Sequence, residues 1–387
     1  MSASVVKGWC PGALRPMQSG DGLVVRVRPF GGRLDAAQIA GLAHLAERHG
    51  NGLIDVTSRA NLQIRGVNET SHRLLLDGLS QLALLDPDAE TESRRNILVT
   101  PFWRAGDETQ SLAAELEEAL ADSELELPTK FGFAIDDGTS RVLAGDSADV
   151  RIERDRSGGL LVRADGGKFG RSVARGEAVS TVLAFANWFV ISGGARGGRG
   201  RMAAHLAAGA ILPAALRGEA EPSPIMAAAR PGLYSQGAMV GIAFGQMAHA
   251  TLNQFAGCGH ALRMTPWRMV LSEGKRVMPN ATGLITEAYD PALRVIACSG
   301  APRCREAHAD TRGLAAALAP NIGAAARLHV SGCAKGCAHS GAAAITLVAT
   351  GAGFDLVRGG STRDEPILRG LNRDDIVGNP SILMGGH

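Results

Sequence analysis

Residues 53–66 read LIDVTSRANLQIRG: two short β-prone runs, 53–56 and 62–65, separated by the turn-forming stretch TSRAN. That pattern predicts two strands and a tight connection. Working outward toward the amino terminus, Gly50 is placed to end a helix. Ala36, Ile39, Leu42, Ala43 and Ala46 recur at helical spacing, and Asp35 with Gln38 has the spacing of a capping box. Before that helix, LVVRVR at 23–28 predicts another strand, broken by Gly31 and Gly32. The unit is strand, helix, strand, strand.

A weaker copy follows. AMVGIAF at 238–244 reads as a strand, 246–255 as a helix ended by Gly257 and Gly259, and 262–265 and 268–271 as strands. Thr57 in DVTSR and Thr265 in RMTPW follow corresponding elements. On pattern alone, an internal duplication and a chance likeness of two α+β stretches stand as alternatives. Between the copies lie 94–104, 127–138, a strand at 160–162, a helix at 177–190 and the loop SGGARGGRGR entering another helix. Gly218, Pro222, Pro224 and Pro231 mark 217–231 as a linker. From about 287 onward, short strands alternate with helices.

At 387 residues the chain is long enough for two or three units of roughly 150 residues each. Hydrophobic residues at 45% can fill a core, and a net charge of +2 gives no bulk attraction to nucleic acid or membrane. The RGGRGR string is short and lacks the interleaved aromatics of an RNA-binding segment. No apolar run reaches the ~20 residues of a membrane helix; 182–191 is short and contains Asn187. The opening MSASVVKGWCPG has no hydrophobic signal region, so the expectation is a cytoplasmic chain. Six cysteines there point to metal or redox chemistry rather than disulfides. Gly198, Gly200 and Ala203 spell a dinucleotide fingerprint, but no strand precedes them, so electrons are expected from a separate donor.

CSGAPRC at 298–304 and CAKGC at 333–337 each follow a β-like run, and their small residues let four thiolates converge. Four thiolates suit zinc or an iron–sulfur cluster, and buried unliganded thiols are the plain alternative. The uneven gaps favour iron–sulfur over the tight knuckles of a zinc ribbon. Arg303, Arg305 and Lys335 would offset the negative charge. Cys10 and Cys258 read as packing residues, with Cys258 and His260 a weaker metal pair. His308 and His339 flank the loops as hydrogen-bonding neighbours or iron ligands. Arg26, Arg28, Arg59 and Arg65 cluster in the first unit, and Arg26 and Arg28 share a strand face. Guanidinium groups grip carboxylates bidentately, so Arg26, Arg28 and Arg65 are expected to bind an acidic substrate. A solvated strand face is the alternative.

Together, CSGAPRC and CAKGC resemble the cluster motif of the sirohaem-dependent sulfite and nitrite reductases. The resemblance implies that Cys298, Cys304, Cys333 and Cys337 bind one [4Fe–4S] cluster. TSRANLQIRG (57–66) resembles the family's segment for an active-site arginine, here Arg59, and RRNILVTP (94–101) the segment for a second, Arg95. LPTKFGF (127–133) resembles the segment carrying two lysines; Lys130 keeps the first, and Gly132 stands at the second. Gly166 and Gly167 fall where the reductases approach their haem with backbone.

The resemblance spans nearly the whole chain and includes the family's internal repeat. It implies a pseudo-two-fold duplicated α+β fold of ferredoxin-like half domains (1–80, 232–285) and cluster- or macrocycle-binding units (85–216, 286–387). A cation missing at Gly132 argues against reduction of a small oxyanion. Within the superfamily, the openings at 8–34 and 50–66 most resemble the precorrin-3B synthases of aerobic cobalamin biosynthesis. That implies O2-dependent hydroxylation of precorrin-3A at C20 with γ-lactone closure, an external electron donor and, as an option, a mononuclear non-haem iron. A sirohaem-bearing sulfite or nitrite reductase is the second reading. A zinc-stabilised binding protein without activity is the third.

Overall fold

The computed structural model describes residues 11–257 and 259–384, so the expectations for Cys10 and Cys258 lie outside the described residues. The first sheet runs Met17–Ser19, Gly22–Val27, Leu62–Val67, Leu53–Val56 and, at its edge, Gln246–Ala248. The second runs Gly232–Tyr234, Gly237–Ile242, Met269–Glu273, Leu262–Met264 and, at its edge, Arg33–Leu34, with Leu284–Ile285 paired beside Gly237–Ile242. Each sheet is therefore completed by a strand from the other copy. This corrects one expectation: 246–248 forms strand rather than the start of a helix, because its backbone groups pair with Leu53–Val56. The helix begins at His249 and ends at Ala256.

The two helices, Ala36–His49 and His249–Ala256, pack against each other. Asp35 accepts from the Gln38 amide at 2.8 Å while the Gln38 side chain accepts from the Asp35 amide at 3.0 Å, which is the expected capping box. Ile39, Leu42, Ala43 and Ala46 are buried in one core that also holds Val240, Leu252 and Phe255 of the second copy. The turns match as well. The Thr57 hydroxyl accepts from the Arg59 and Asn61 amides and Ala60 has φ +54°; the Thr265 hydroxyl accepts from the Trp267 amide and Arg268 has φ +56°.

The remaining two sheets share one design. Ile97–Val99, Phe133–Asp136 and Val150–Arg154 run parallel, and Leu160–Ala164 and Arg171–Ser172 continue antiparallel. Val295–Ala297, Leu328–Ser331 and Ala343–Thr350 are likewise parallel, followed by antiparallel Gly353–Gly360 and Leu368–Leu371. Each has its own core, and the duplication thus reaches both unit types. The 217–231 segment lies along the first of these sheets, bridging at Ala220, Pro222 and Ile225. Among the described residues no helix is long and apolar enough to cross a membrane.

One buried carboxyl gives this fold a pH signature. Asp136 is fully buried; its Oδ2 accepts from the Leu143 amide at 2.7 Å, and its Oδ1 has no hydrogen-bond partner. Burial pushes its pKa up to about 7, against the Leu143 and Val142 amides. The folded chain therefore holds a proton that the unfolded chain has released. Stability from this group is present below pH ~4 and is lost as pH rises toward 7. Asp136→Asn removes that loss. In urea titrations its stability relative to wild type is expected to improve by a few kcal/mol between pH ~5 and ~8. A difference that stays flat across that range would contradict the assignment.

Candidate functional site

The cysteine loops meet because their strands are neighbours. Val295–Ala297 and Leu328–Ser331 pair in parallel with Ala297 opposite Val330, so both chains leave the sheet at the same end. The first loop turns back through the Cys304 amide, which donates to the Gly300 carbonyl at 2.8 Å. The Gly332 amide donates to Cys298 Sγ at 3.2 Å, and the His308 amide donates to the Gly332 carbonyl at 2.9 Å. A side chain at 332 would lie 2.7 Å from Ala307 Cβ, so glycine permits this approach.

Desolvation pushes the Cys333 and Cys337 thiols up, and the neighbouring cysteines push both further. Cys333 feels Cys304 and Cys298; Cys337 feels Cys333, Cys298 and Cys304. Cys333 and Cys337 therefore resist becoming thiolates until a positive centre joins them. This donor set fits a four-thiolate iron–sulfur group. Among the described residues, no group of three His, Cys, Asp or Glu side chains is arranged to hold a single metal ion.

The first half domain clamps the first cysteine loop. The Arg303 carbonyl accepts from the Gly20 amide at 3.0 Å, the Ser19 hydroxyl at 2.8 Å and Arg65 Nη2 at 3.3 Å. A Cβ at Gly20 would lie 2.7 Å from the Pro302 carbonyl oxygen, so the hairpin turn is fitted to the loop's backbone. Arg65 is buried and pairs with Asp21 at 2.8 Å and Asp55 at 3.0 Å. Burial works against its charge, but the two carboxylates outweigh that and raise its pKa. The guanidinium expected to meet substrate is thus engaged by the protein itself. Asp55 also accepts from Gln246 Nε2 at 2.7 Å and Arg312 Nη2 at 3.1 Å, tying both half domains to the helix Thr311–Leu318 that follows the loop.

The other basic residues fall into two groups. Arg26, Arg28 and Arg95 are buried together. Arg28 Nη1 donates to the Glu92 carbonyl, and Arg28 Nε has no hydrogen-bond partner. Burial lowers the Arg28 pKa to about 10; Glu92 opposes this, and Arg26 and Arg95 add to it. Arg95 forms a bidentate pair with Asp86 at 2.7 and 2.8 Å, donates to the Arg28 carbonyl at 3.0 Å and stacks 3.7 Å from the Phe30 ring centre. Arg59, in contrast, is partly exposed, and its Nη2 donates to the carbonyl of exposed Lys130 at 3.1 Å. A Cβ at Gly132 would lie 3.6 Å from Arg59 Nη1, so 59, 130 and 132 form one locus.

Sequence reasoning missed Arg268, Arg312 and His329. Arg268 Nη2 reaches the carbonyl of Ala338, the residue after Cys337, at 3.4 Å. Desolvation, then Arg312, lowers its pKa to about 10, while Asp55 and Cys298 act in the opposite sense. His329 is fully buried, with neither ring nitrogen hydrogen-bonded, and burial followed by His339 and Arg268 lowers its pKa to about 4. A basic residue two places beyond a Thr-Pro turn was the available signal for Arg268.

Comparison with known proteins places these features in context. Residues 15–82 match the family model of the nitrite/sulfite reductase ferredoxin-like half domain. A precorrin-3B synthase from Sinorhizobium sp. is 30% identical, with the alignment covering 94% of this chain and 85% of that protein. A ferredoxin–nitrite reductase from Synechococcus elongatus is 29% identical over 38% of this chain and 31% of its own length. The solved structure of the Mycobacterium tuberculosis NirA protein superposes with a TM-score of 0.66 at 18% identity, covering 92% of this chain and 79% of that one, a likeness of fold.

Proposed function

The chain belongs to the precorrin-3B synthase family and is an enzyme, and we propose that it hydroxylates precorrin-3A at C20 with O2, a γ-lactone closing from a ring-A acetate. One oxygen atom enters the product; two electrons and two protons from an external donor reduce the other to water. Cys298, Cys304, Cys333 and Cys337 would hold a [4Fe–4S] cluster, which supplies single-electron transfer.

The residues of the chain bind and orient. Arg59 and Lys130, the basic side chains open to solvent at their locus, are assigned to the ring carboxylates of the substrate. Arg95 holds the Arg28 backbone, and Arg26 and Arg28 add buried positive charge beside it. Arg65 is assigned to the loop clamp instead.

The observation that carries this reading over an oxyanion reductase is Gly132. A lysine there would add a second ammonium group at the locus of Arg59 and Lys130; glycine supplies no such cation, and a Cβ at 132 would already lie 3.1 Å from the Asn96 carbonyl. Removing one short-range cation costs most where a small anion must be held tightly. The test supplies purified protein with precorrin-3A, isotope-labelled O2 and reductant. The expected product is heavier by one labelled oxygen atom, with negligible sulfite or nitrite turnover from reduced viologen. Stoichiometric sirohaem with rapid sulfite reduction would replace this reading by the reductase one.

A further inference from the structure

We propose that Arg268 is the counter-charge of the four-thiolate site and sets the reduction potential of the cluster held there. This inference rests on the cluster reading above. The turn after the second copy's third element needs one residue in the left-handed region, and Arg268 fills it with φ +56°. Its counterpart Ala60 fills the same place in the first copy with φ +54°. A small side chain therefore satisfies the backbone, and a long β-substituted cation gains nothing from that conformation. What the arginine adds is the position of its guanidinium.

Three contacts fix that position. Gly245 presents a bare Cα to the arginine stem; a Cβ there would lie 3.0 Å from Arg268 Cδ. The Thr265 hydroxyl donates to the Met269 carbonyl at 2.7 Å and closes the turn around it. Arg268 Nη2 is directed at the Ala338 carbonyl, immediately beyond Cys337. The Thr311 hydroxyl donates to the Cys298 carbonyl at 2.7 Å, and the next residue, Arg312, has buried Nε and Nη1 atoms without hydrogen-bond partners. Arg312 is held by Asp55, which Arg65 and Gln246 share, while Arg268 is directed at the cysteine loop. The Arg268 guanidinium thus faces a region that becomes anionic once the cysteines bind iron.

A cluster gains one negative charge when it is reduced. A fixed cation nearby, screened less than in water, stabilises the reduced form and raises the potential. The experiment is a redox titration of the anaerobically purified full-length protein, read from the electron paramagnetic resonance of the reduced cluster. Arg268→Gln is expected to shift the reduction equilibrium about tenfold toward the oxidised form, ~59 mV for one electron. Arg268→Lys, which keeps the charge, is expected to remain near wild type. Should the Gln variant fail to load iron while the Lys variant loads it, the charge is needed for assembly and the proposal stands. An unchanged potential in Arg268→Gln overturns it, as do equal shifts in both variants or folded proteins of which neither loads. Wild-type protein without iron and sulfide would overturn the cluster reading itself, and this inference with it.

Discussion

An Asp55→Asn protein is expected to be about 3–5 kcal/mol less stable than wild type, the usual cost of stranding a buried charge. Asp55 is 7% exposed and, among the described residues, is the one carboxylate hydrogen-bonded to both Arg65 and Arg312. Arg65 would keep Asp21, at 2.8 Å. Arg312 would keep no ion pair among the described residues, and its Nε and Nη1 are already without partners. An asparagine retains the size of the side chain, so the loss reports charge rather than packing. The same substitution slackens the contact between the first half domain and the first cysteine loop, because Arg65 also donates to the Arg303 carbonyl. Urea unfolding should show the stability loss, and iron content after purification should fall with it. A loss below ~1 kcal/mol would mean that the network is solvated and that the clamp lies elsewhere.

Cys333→Ser is expected to reduce iron and sulfide to background, with the visible colour of the protein lost. Cys333 follows the strand Leu328–Ser331 and shares the charge field of Cys298 and Cys304, so its thiol belongs to the same site as the first loop. A serine hydroxyl stays protonated where a thiol can be recruited as a ligand, and iron–sulfur centres of this type require thiolate. The backbone should tolerate the change, since serine is close to cysteine in volume. Full iron and sulfide content in Cys333→Ser would remove this residue from the ligand set.

Much of the first half domain could be read from its letters. The capping box at Asp35 and the buried face at Ile39, Leu42, Ala43 and Ala46 are local features, and local periodicity reports them directly. The exchanged strand Gln246–Ala248 could not be read in the same way. Its identity depends on backbone pairing with Leu53–Val56, almost two hundred residues away, and three residues of mixed polarity carry no strand signature. Arg65 illustrates the same limit for side chains. The sequence shows a cation on a strand; only the fold brings Asp21 and Asp55 to it and turns a prospective ligand-binding group inward. Arg59 beside Lys130 was legible through the resemblance of two separate segments, which meet at the Lys130 carbonyl. Arg268 was hidden because its role follows from the pseudo-symmetric turn, where its counterpart is an alanine.

The exchanged edge strands have a consequence for how the chain is made and how it diverged. Each half sheet is unfinished until the other half has been synthesised, because Arg33–Leu34 pairs with Leu262–Met264 and Gln246–Ala248 with Leu53–Val56. The architecture is that of a domain-swapped dimer fused into one polypeptide. Its closing contacts join distant parts of the chain, so the final docking step is slow and exposes open strand edges while it is pending. Fusion also frees the copies from self-complementarity. In a dimer of identical chains every ligand would have to appear twice. Here the second unit places Thr311 against the Cys298 carbonyl, whereas the first spends its helix-opening threonine, Thr109, on Asp137 at 2.7 Å. A four-cysteine site in one copy of a two-fold scaffold is what that freedom permits.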